Sequence, residues 1–204
     1  MMDNTIVTVP VFDARAMILS LLHDPTIMWL ENLADGYNIF TGAELEGCDS
    51  NNMYGEIHTG DTWKPVLARH CGKERIYMPV ALVLLSDKSH MDLHSTLSVE
   101  PVSFTLSLFN SSACNLPNFW RLLGYIQNLS AGKGKANRMS AKDKIQNQHN
   151  CLSAVPKSIR DNHERGGIRT TVMGRDVHIK VWIHYIIGDT EGNNKWMGNT
   201  LAIS

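Results

Sequence analysis

Two aspartates in this chain each follow an apolar run, the position in which carboxylates often hold divalent metal ions. Asp87 follows residues 80–85, which carry no polar side chain, and Asp189 closely follows residues 185–187. Such runs are typical of strands covered on both faces, and ligands collect beyond the carboxyl ends of strands in open α/β sheets. Two metal ions about 3.5–4 Å apart can hold both reacting oxygens of a phosphoryl transfer. The pattern therefore predicts a metal site, although plain polar stops after hydrophobic strands look the same.

The composition is that of a globular protein without a general affinity for nucleic acid. Apolar residues make up 43% and charged residues 19% of 204 residues, which argues against disorder and is enough for one core. Lys and Arg number 19 against 20 Asp and Glu, so a nucleic-acid surface requires local clustering. The four cysteines form no Cys-x-x-Cys pair. No leader pattern and no apolar run of ~18 residues is present, so we expect an intracellular protein with no membrane partner.

The first third of the chain predicts a small helical region. Asp13 can cap a helix whose apolar residues recur at i, i+3 and i+4, and Asp24, followed by proline, is typical of the start of a second short helix. Asp61 can cap a third helix after a connector rich in Gly, Asp and Asn. We therefore divide the chain into a helical region and connector at 1–75 and a larger unit at 76–204.

The larger unit predicts a sheet. Residues 102–108 alternate apolar and polar side chains, as a half-buried strand does, and residues 119–126 predict a further strand. With the strand before Asp87 they form a three-stranded antiparallel meander. A helix interrupted at Pro156 and a hairpin turning at 174–176 follow. The order meander, helix and strand, with acids on the first and fourth strands, matches the first part of an RNase H-like fold. The predicted class is α/β, a partial RNase H-like core with a small N-terminal helical region.

A basic stretch at residues 128–144 separates the meander from the helix. It is rich in Ser, Gly and Asn and predicts a flexible connector. Positive side chains could contact DNA phosphates, which require only charge, although a solvated loop has the same composition. The basic residues are Lys133, Lys135, Arg138, Lys142 and Lys144.

Several blocks of the sequence, taken in order, resemble Plavaka-type DDE transposases of the CACTA group. The likeness extends in blocks from about the first helix almost to the end of the chain, and blocks in the right order are more specific than any one motif. The blocks are YGEIHTGD at 54–61, LSDKSH at 85–90, LSVEPVSFTL at 97–106, WRLLGYI at 120–126, GGI at 166–168 and IIGDTEG at 186–192.

The resemblance implies a chemistry for the two acids. Asp87 and Asp189 would be the first and second carboxylates of a DDE triad that binds Mg²⁺ or Mn²⁺ for cleavage and transfer of DNA strands, which implies DNA as partner and a nuclear location. The third acid of such a triad is expected on a helix well beyond Asp189, but the chain has 204 residues, so 15 follow, and Glu191 is too close to the strand to serve. We therefore expect a truncated or decayed transposase core that is inactive alone.

Two other hypotheses belong to different classes. The chain could be a non-catalytic module that retains the fold for contact with DNA or protein, or a decayed transposon product with no selected role. Salt-dependent DNA binding without metal-dependent cleavage would favour the module. A serine hydrolase is disfavoured because no Gly-x-Ser-x-Gly motif is present.

Overall fold

The structure is a computed structural model that describes residues 9–45, 56–72, 77–87, 89–90, 98–127, 146, 149–151 and 153–188. The α-helices are α1 Ala14–Leu22, α2 Trp63–Cys71, α3 Ser111–Cys114 and α4 Lys157–Glu164, with further helical residues at 149–151 and 153–154. The strands are β1 Met78–Ser86, β2 Ser89–His90, β3 Ser98–Leu106, β4 Arg121–Gln127, β5 Ile168–Val172 and β6 Arg175–Ile187.

The strands form one mixed sheet in the order β4-β3-β1-β6-β5, and β2 pairs with β3 on the same side as β1. β3 runs antiparallel to both β1 and β4, so the predicted antiparallel meander is confirmed. β6 runs parallel to β1 on its other side and antiparallel to β5. The fold is therefore mixed α/β, as the sequence predicted at that level.

β1 is the central strand and is covered on both faces. Consecutive strand residues point to opposite faces, and every residue from Met78 to Leu84 is buried. The prediction for the apolar run is therefore confirmed. β3 differs from its prediction, because its polar residue Thr105 is also buried: the hydroxyl of Thr105 lies 3.9 Å from the thiol of Cys114 in α3, which covers the face expected to meet water.

The N-terminal helices agree only in part with those predicted from the sequence. The carboxylate of Asp13 accepts a hydrogen bond from the backbone N–H of Arg15 and caps α1 as predicted. The helix predicted after Asp24 is absent, because the side-chain amide of Asn32 donates to the carbonyl oxygens of Thr26 and Ile27, which a continuing helix would pair with its own N–H groups. The chain instead forms a turn and a short 3₁₀ segment at Leu30–Asn32.

α2 begins at Trp63 as expected, but Asp61 is not its cap. The flanking residue is Thr62, whose backbone is already helical and whose side chain caps nothing. The helix ends at Gly72, which has a φ of 71°. The buried apolar side chains of this N-terminal part and of the sheet belong to one core, and the division at residue 75 stays a prediction.

The predicted hairpin is confirmed, but residues 175 and 176, expected in a turn at 174–176, already pair with β5. The turn consists of Met173 and Gly174. Both have positive φ, 48° and 76°, the combination that matches the right-handed twist of the flanking strands. Burial of the end of β6 was predicted wrongly: residues 185–187 are 41%, 36% and 49% exposed in chain order. The reason is that β5 pairs with β6 only as far as Ile179, so the end of β6 has one neighbouring strand, β1.

Gly167 allows the chain to enter this hairpin. A Cβ atom at Gly167, whose φ is 108°, would collide with the carbonyl oxygen of Ile179 on the neighbouring strand. Gly166 beside it has a φ of 94°, but no atom lies near the position that a Cβ atom would take there. At both positions the positive φ favours glycine. At Gly167 the neighbouring carbonyl oxygen of Ile179 also leaves no space for a Cβ atom.

We expect Gly167→Ala to lower the free energy of unfolding by about 2–4 kcal/mol. The strain of a positive φ and the overlap of the new Cβ atom with the carbonyl oxygen of Ile179 both contribute to this loss. Gly166→Ala is the matched control and should cost about 1–2 kcal/mol from strain alone. Urea denaturation followed by circular dichroism measures both. Equal losses in the two variants would contradict the close approach.

Candidate metal site at the ends of β1 and β6

The strands that carry the two predicted acids are parallel neighbours. Leu85, the last residue of β1 that pairs with β6, lies opposite Ile187, the last residue of β6. The two strands therefore leave the sheet at the same edge. Asp87 follows β1 directly and is exposed. Asp189 lies outside the described residues, which end here at Gly188.

A bulge in β6 sets the register at this edge. Leu82 pairs with Ile183, but the next residue of β1, Val83, pairs with Tyr185, so His184 is an extra residue without a partner on β1. The bulge moves the rest of β6 forward by one residue relative to β1. As a result, Leu85 is opposite Ile187 and not opposite Ile186.

Asp87 lies at a gap in the ladder between β1 and β3. Ser86 pairs with Val102, and Ser89 of β2 pairs with Val99, so the register is the same on both sides of Asp87. β1 and β2 are therefore one hairpin arm with a two-residue interruption. The residue in register with Asp87 is Pro101, which has no backbone N–H to donate.

Glu100 is close to Asp87 in the sheet but is buried. The hydroxyl of Ser86 donates a hydrogen bond of 2.6 Å to the Glu100 carboxyl, and both residues are buried, with Glu100 6% exposed. Asp87, directly beyond the strand, is exposed. The two carboxyl groups therefore differ in their access to solvent.

The described residues offer one metal ligand at this edge. Among them, no three His, Cys, Asp or Glu side chains lie close enough together to hold an ion. Mg²⁺ is commonly held by one or two carboxylates, with waters and substrate phosphates completing its shell, so an exposed aspartate fits as such a ligand. The basic candidates lie outside the described residues, and they are Lys133, Lys135, Arg138, Lys142 and Lys144.

Aromatic side chains fix the end of β6 to the start of α2. The Trp63 ring lies 5.4 Å from the ring of His184 and 5.9 Å from that of Trp182. The hydroxyl of Tyr185 is 3.2 Å from that of Thr62. This group was not predicted from the sequence, although Trp182, His184 and Tyr185 lie within a span of four residues. It holds the strand end next to the candidate site.

His70 and His163 extend the same group along β6. The His70 ring stacks on Trp182 at 4.8 Å and meets the edge of His163 at 5.1 Å. Nδ1 of His163 lies 2.8 Å from the carbonyl oxygen of Val181, which can only accept, so Nδ1 donates. Burial lowers the pKa of His70 to about 4, and positive charge on four neighbours acts in the same direction, namely His163, Arg69, His184 and Lys180.

Comparison of the chain with protein-family models, with curated proteins and with solved structures finds no match. The transposase resemblance therefore stays a prediction from the sequence blocks. Within the described ranges, no helix is both long and apolar enough to cross a membrane.

We expect Ser86→Ala to lower the free energy of unfolding by about 1–3 kcal/mol, because the buried Glu100 carboxyl loses a hydrogen-bond donor. Ser103→Ala, in the neighbouring strand at a half-exposed position without a described side-chain hydrogen bond, should change stability by less than about 0.5 kcal/mol. Urea denaturation at neutral pH measures the difference. Similar values for both variants would show that the Ser86–Glu100 contact contributes little.

Stability should fall as the pH drops from 6.5 towards 4. Because the pKa of His70 is about 4 in the folded chain and 6.5 for an unperturbed histidine, the unfolded chain binds more protons in this window. His70→Gln removes the group that must stay neutral. The urea midpoint of the wild type should therefore decrease more than that of His70→Gln between pH 7 and pH 5. Equal decreases would assign the acid sensitivity to other groups.

Proposed function

We propose that this chain is a partial RNase H-like core of the DDE transposase class, inactive alone, in which Asp87 and Asp189 hold a divalent metal ion of the kind that acts on DNA phosphodiester bonds once a third acid completes the site. The observation that carries the proposal is the parallel pairing of β1 with β6. Because of this pairing, the two strands that precede the acids end next to each other at the same edge of the sheet. Carboxylates from neighbouring strand ends can share one ion, as a phosphoryl-transfer site requires.

The bulge at His184 supports the choice of Asp189. After the bulge, Leu85 is opposite Ile187. Asp87 is two residues beyond Leu85, and Asp189 is two residues beyond Ile187 in the sequence. Without the extra residue, the position matching Asp87 would be Gly188. Bulges are frequent next to active sites because they re-aim side chains in this way.

The strand order supports the RNase H-like part of the proposal. The antiparallel strands β1, β3 and β4 come first, a helical segment ending in α4 follows, and β6 then pairs in parallel with β1. This is the order of meander, helix and strand that the sequence predicted. The hairpin strand β5, antiparallel to β6, is an addition at the outer edge.

The residues around Asp87 suit a metal ion that is accessible to a substrate in solution. The exposed Asp87 supplies one hard oxygen ligand, and Pro101 opposite it leaves the ladder open. A bound Mg²⁺ would polarise a phosphoryl oxygen and lower the pKa of a coordinated water. The buried Ser86–Glu100 hydrogen bond restrains the residue directly before Asp87, which fixes the backbone from which the ligand extends.

Binding of Mn²⁺ to the purified chain tests the proposal without requiring catalysis. Electron paramagnetic resonance measures the loss of the free Mn²⁺ signal on titration with protein. Asp87→Asn should weaken binding by about tenfold or more, since even outer-shell partners of a ligand contribute about that much. Asp161→Asn, a carboxylate on α4, is the matched control and should bind Mn²⁺ as the wild type does.

Two results would overturn the assignment. Wild-type chain that does not reduce the Mn²⁺ signal, or Asp87→Asn that binds as tightly as Asp161→Asn, would exclude a metal site at Asp87. Salt-dependent DNA binding by a chain that binds no Mn²⁺ would replace the proposal by the non-catalytic DNA-binding module.

A further inference from the structure

Among the described residues, no strand pairs with the outer edge of β5. This strand is the last of the sheet in those ranges and pairs with β6. Its closing pair, Val172 with Arg175, flanks the two-residue turn and is hydrogen-bonded in that geometry. In an antiparallel ladder, hydrogen-bonded pairs alternate with pairs that are not hydrogen-bonded. Arg169 and Thr171 are in pairs of the second kind, so their backbone N–H and C=O groups point away from β6. None of the described hydrogen bonds outside the sheet uses them.

In the part of the chain that the structure describes, this edge carries no proline, lysine or bulge that would hinder strand addition. Natural edges carry proline, lysine, bulges or a covering loop. β5 has the sequence Ile-Arg-Thr-Thr-Val, which favours strands, and pairs with β6 in an unbroken register. Its one charged side chain, Arg169, is exposed.

An apolar groove of about 780 Å³ runs beside the same strand. Thr170, Thr171 and Met173 form one side of it, and the segment after α1 forms the other. Two large side chains of that segment are mostly in solvent, Trp29 at 64% and Leu30 at 71% exposed. Apolar side chains clustered beside an open strand edge are typical of interaction surfaces.

We propose that a second copy of this chain adds its own β5 to this edge, antiparallel, about a two-fold axis at Thr170. The pairing is self-complementary: Arg169 is then opposite Thr171 of the partner subunit, and both residues present free backbone groups. Two such pairs give four hydrogen bonds. This surface is independent of the metal site at Asp87.

The charges on β5 and β6 favour a second copy over a foreign peptide. Asp176, which is in register with Thr171, accepts a hydrogen bond of 2.7 Å from its hydroxyl. Arg169 lies on the same sheet face, and neither Arg169 nor Asp176 is in a described ion pair. Across the two-fold axis, each Arg169 approaches Asp176 of the partner subunit. An acidic or a basic peptide would match one of these charges, whereas a second copy matches both.

The groove adds an apolar contribution to the same contact. A strand paired to the outer edge of β5 lies over the open side of the groove, next to Thr170 and Thr171. The exposed surfaces of Trp29 and Leu30 from both copies are then removed from water on one side of the extended sheet. Each Å² of apolar surface buried there contributes favourably to association.

Sedimentation equilibrium of the full chain tests the proposal. We expect the wild type to dimerise in a concentration-dependent way. Thr171→Pro removes an outward N–H that β6 does not use, so the folded monomer should remain while the dimer is lost. Arg169→Asp and Asp176→Arg should each weaken dimerisation by roughly tenfold, because each change acts twice across the axis. The double variant, with the charges exchanged, should recover most of the wild-type affinity.

Hydrogen exchange distinguishes a dimer formed through the β5 edge from a dimer formed through another surface. The amides of Arg169 and Thr171 should become protected as the concentration rises, whereas that of Thr170, already bonded to β6, should be protected throughout. Circular dichroism confirms that each variant is folded. A wild type that stays monomeric at high micromolar concentration, or a dimer unaffected by Thr171→Pro and by the charge changes, would overturn the proposal.

Discussion

The parallel pairing of β1 with β6 is the contact on which the rest of the structure depends. Parallel neighbours cannot be joined by a tight turn, so the chain needs a long crossover between them. Here the crossover includes β3, β4 and the helical segment that ends in α4. β3 and β6 flank β1 in the sheet, α2 packs against both β1 and β6, and β1 is buried on both faces. The shared edge beyond Leu85 and Ile187 is a consequence of this pairing.

The two ends of β6 are held by different means. Near its start β6 pairs with β5, whose close approach is possible because Gly167 has no side chain. Beyond Ile179, where β5 is absent, side chains replace the missing strand: His163 donates to the carbonyl oxygen of Val181, and the ring of Trp182 is enclosed by Trp63 and His70. Burial lowers the pKa of His70, so the imidazole that stacks on Trp182 is neutral at neutral pH, which links this part of the sheet to pH.

Polar groups near the candidate site differ in burial. Asp87 is exposed, while Glu100 and Ser86 are buried together. A buried carboxylate is suited to restrain the strand, because its hydrogen bond is shielded from water. The exposed carboxylate keeps its oxygens free for a ligand. One strand end therefore combines a rigid support and an accessible donor.

The local features could be predicted from the sequence: the cap at Asp13, the apolar run of β1, the antiparallel meander and the hairpin after Gly167 each follow from short-range periodicity or turn chemistry. The other features depend on tertiary contacts. Asn32 replaces helical hydrogen bonds after Asp24, the end of β6 is exposed for lack of a second neighbour, and the bulge at His184 sets which residue lies opposite Leu85. These outcomes depend on contacts between residues far apart in the chain, which no local pattern specifies.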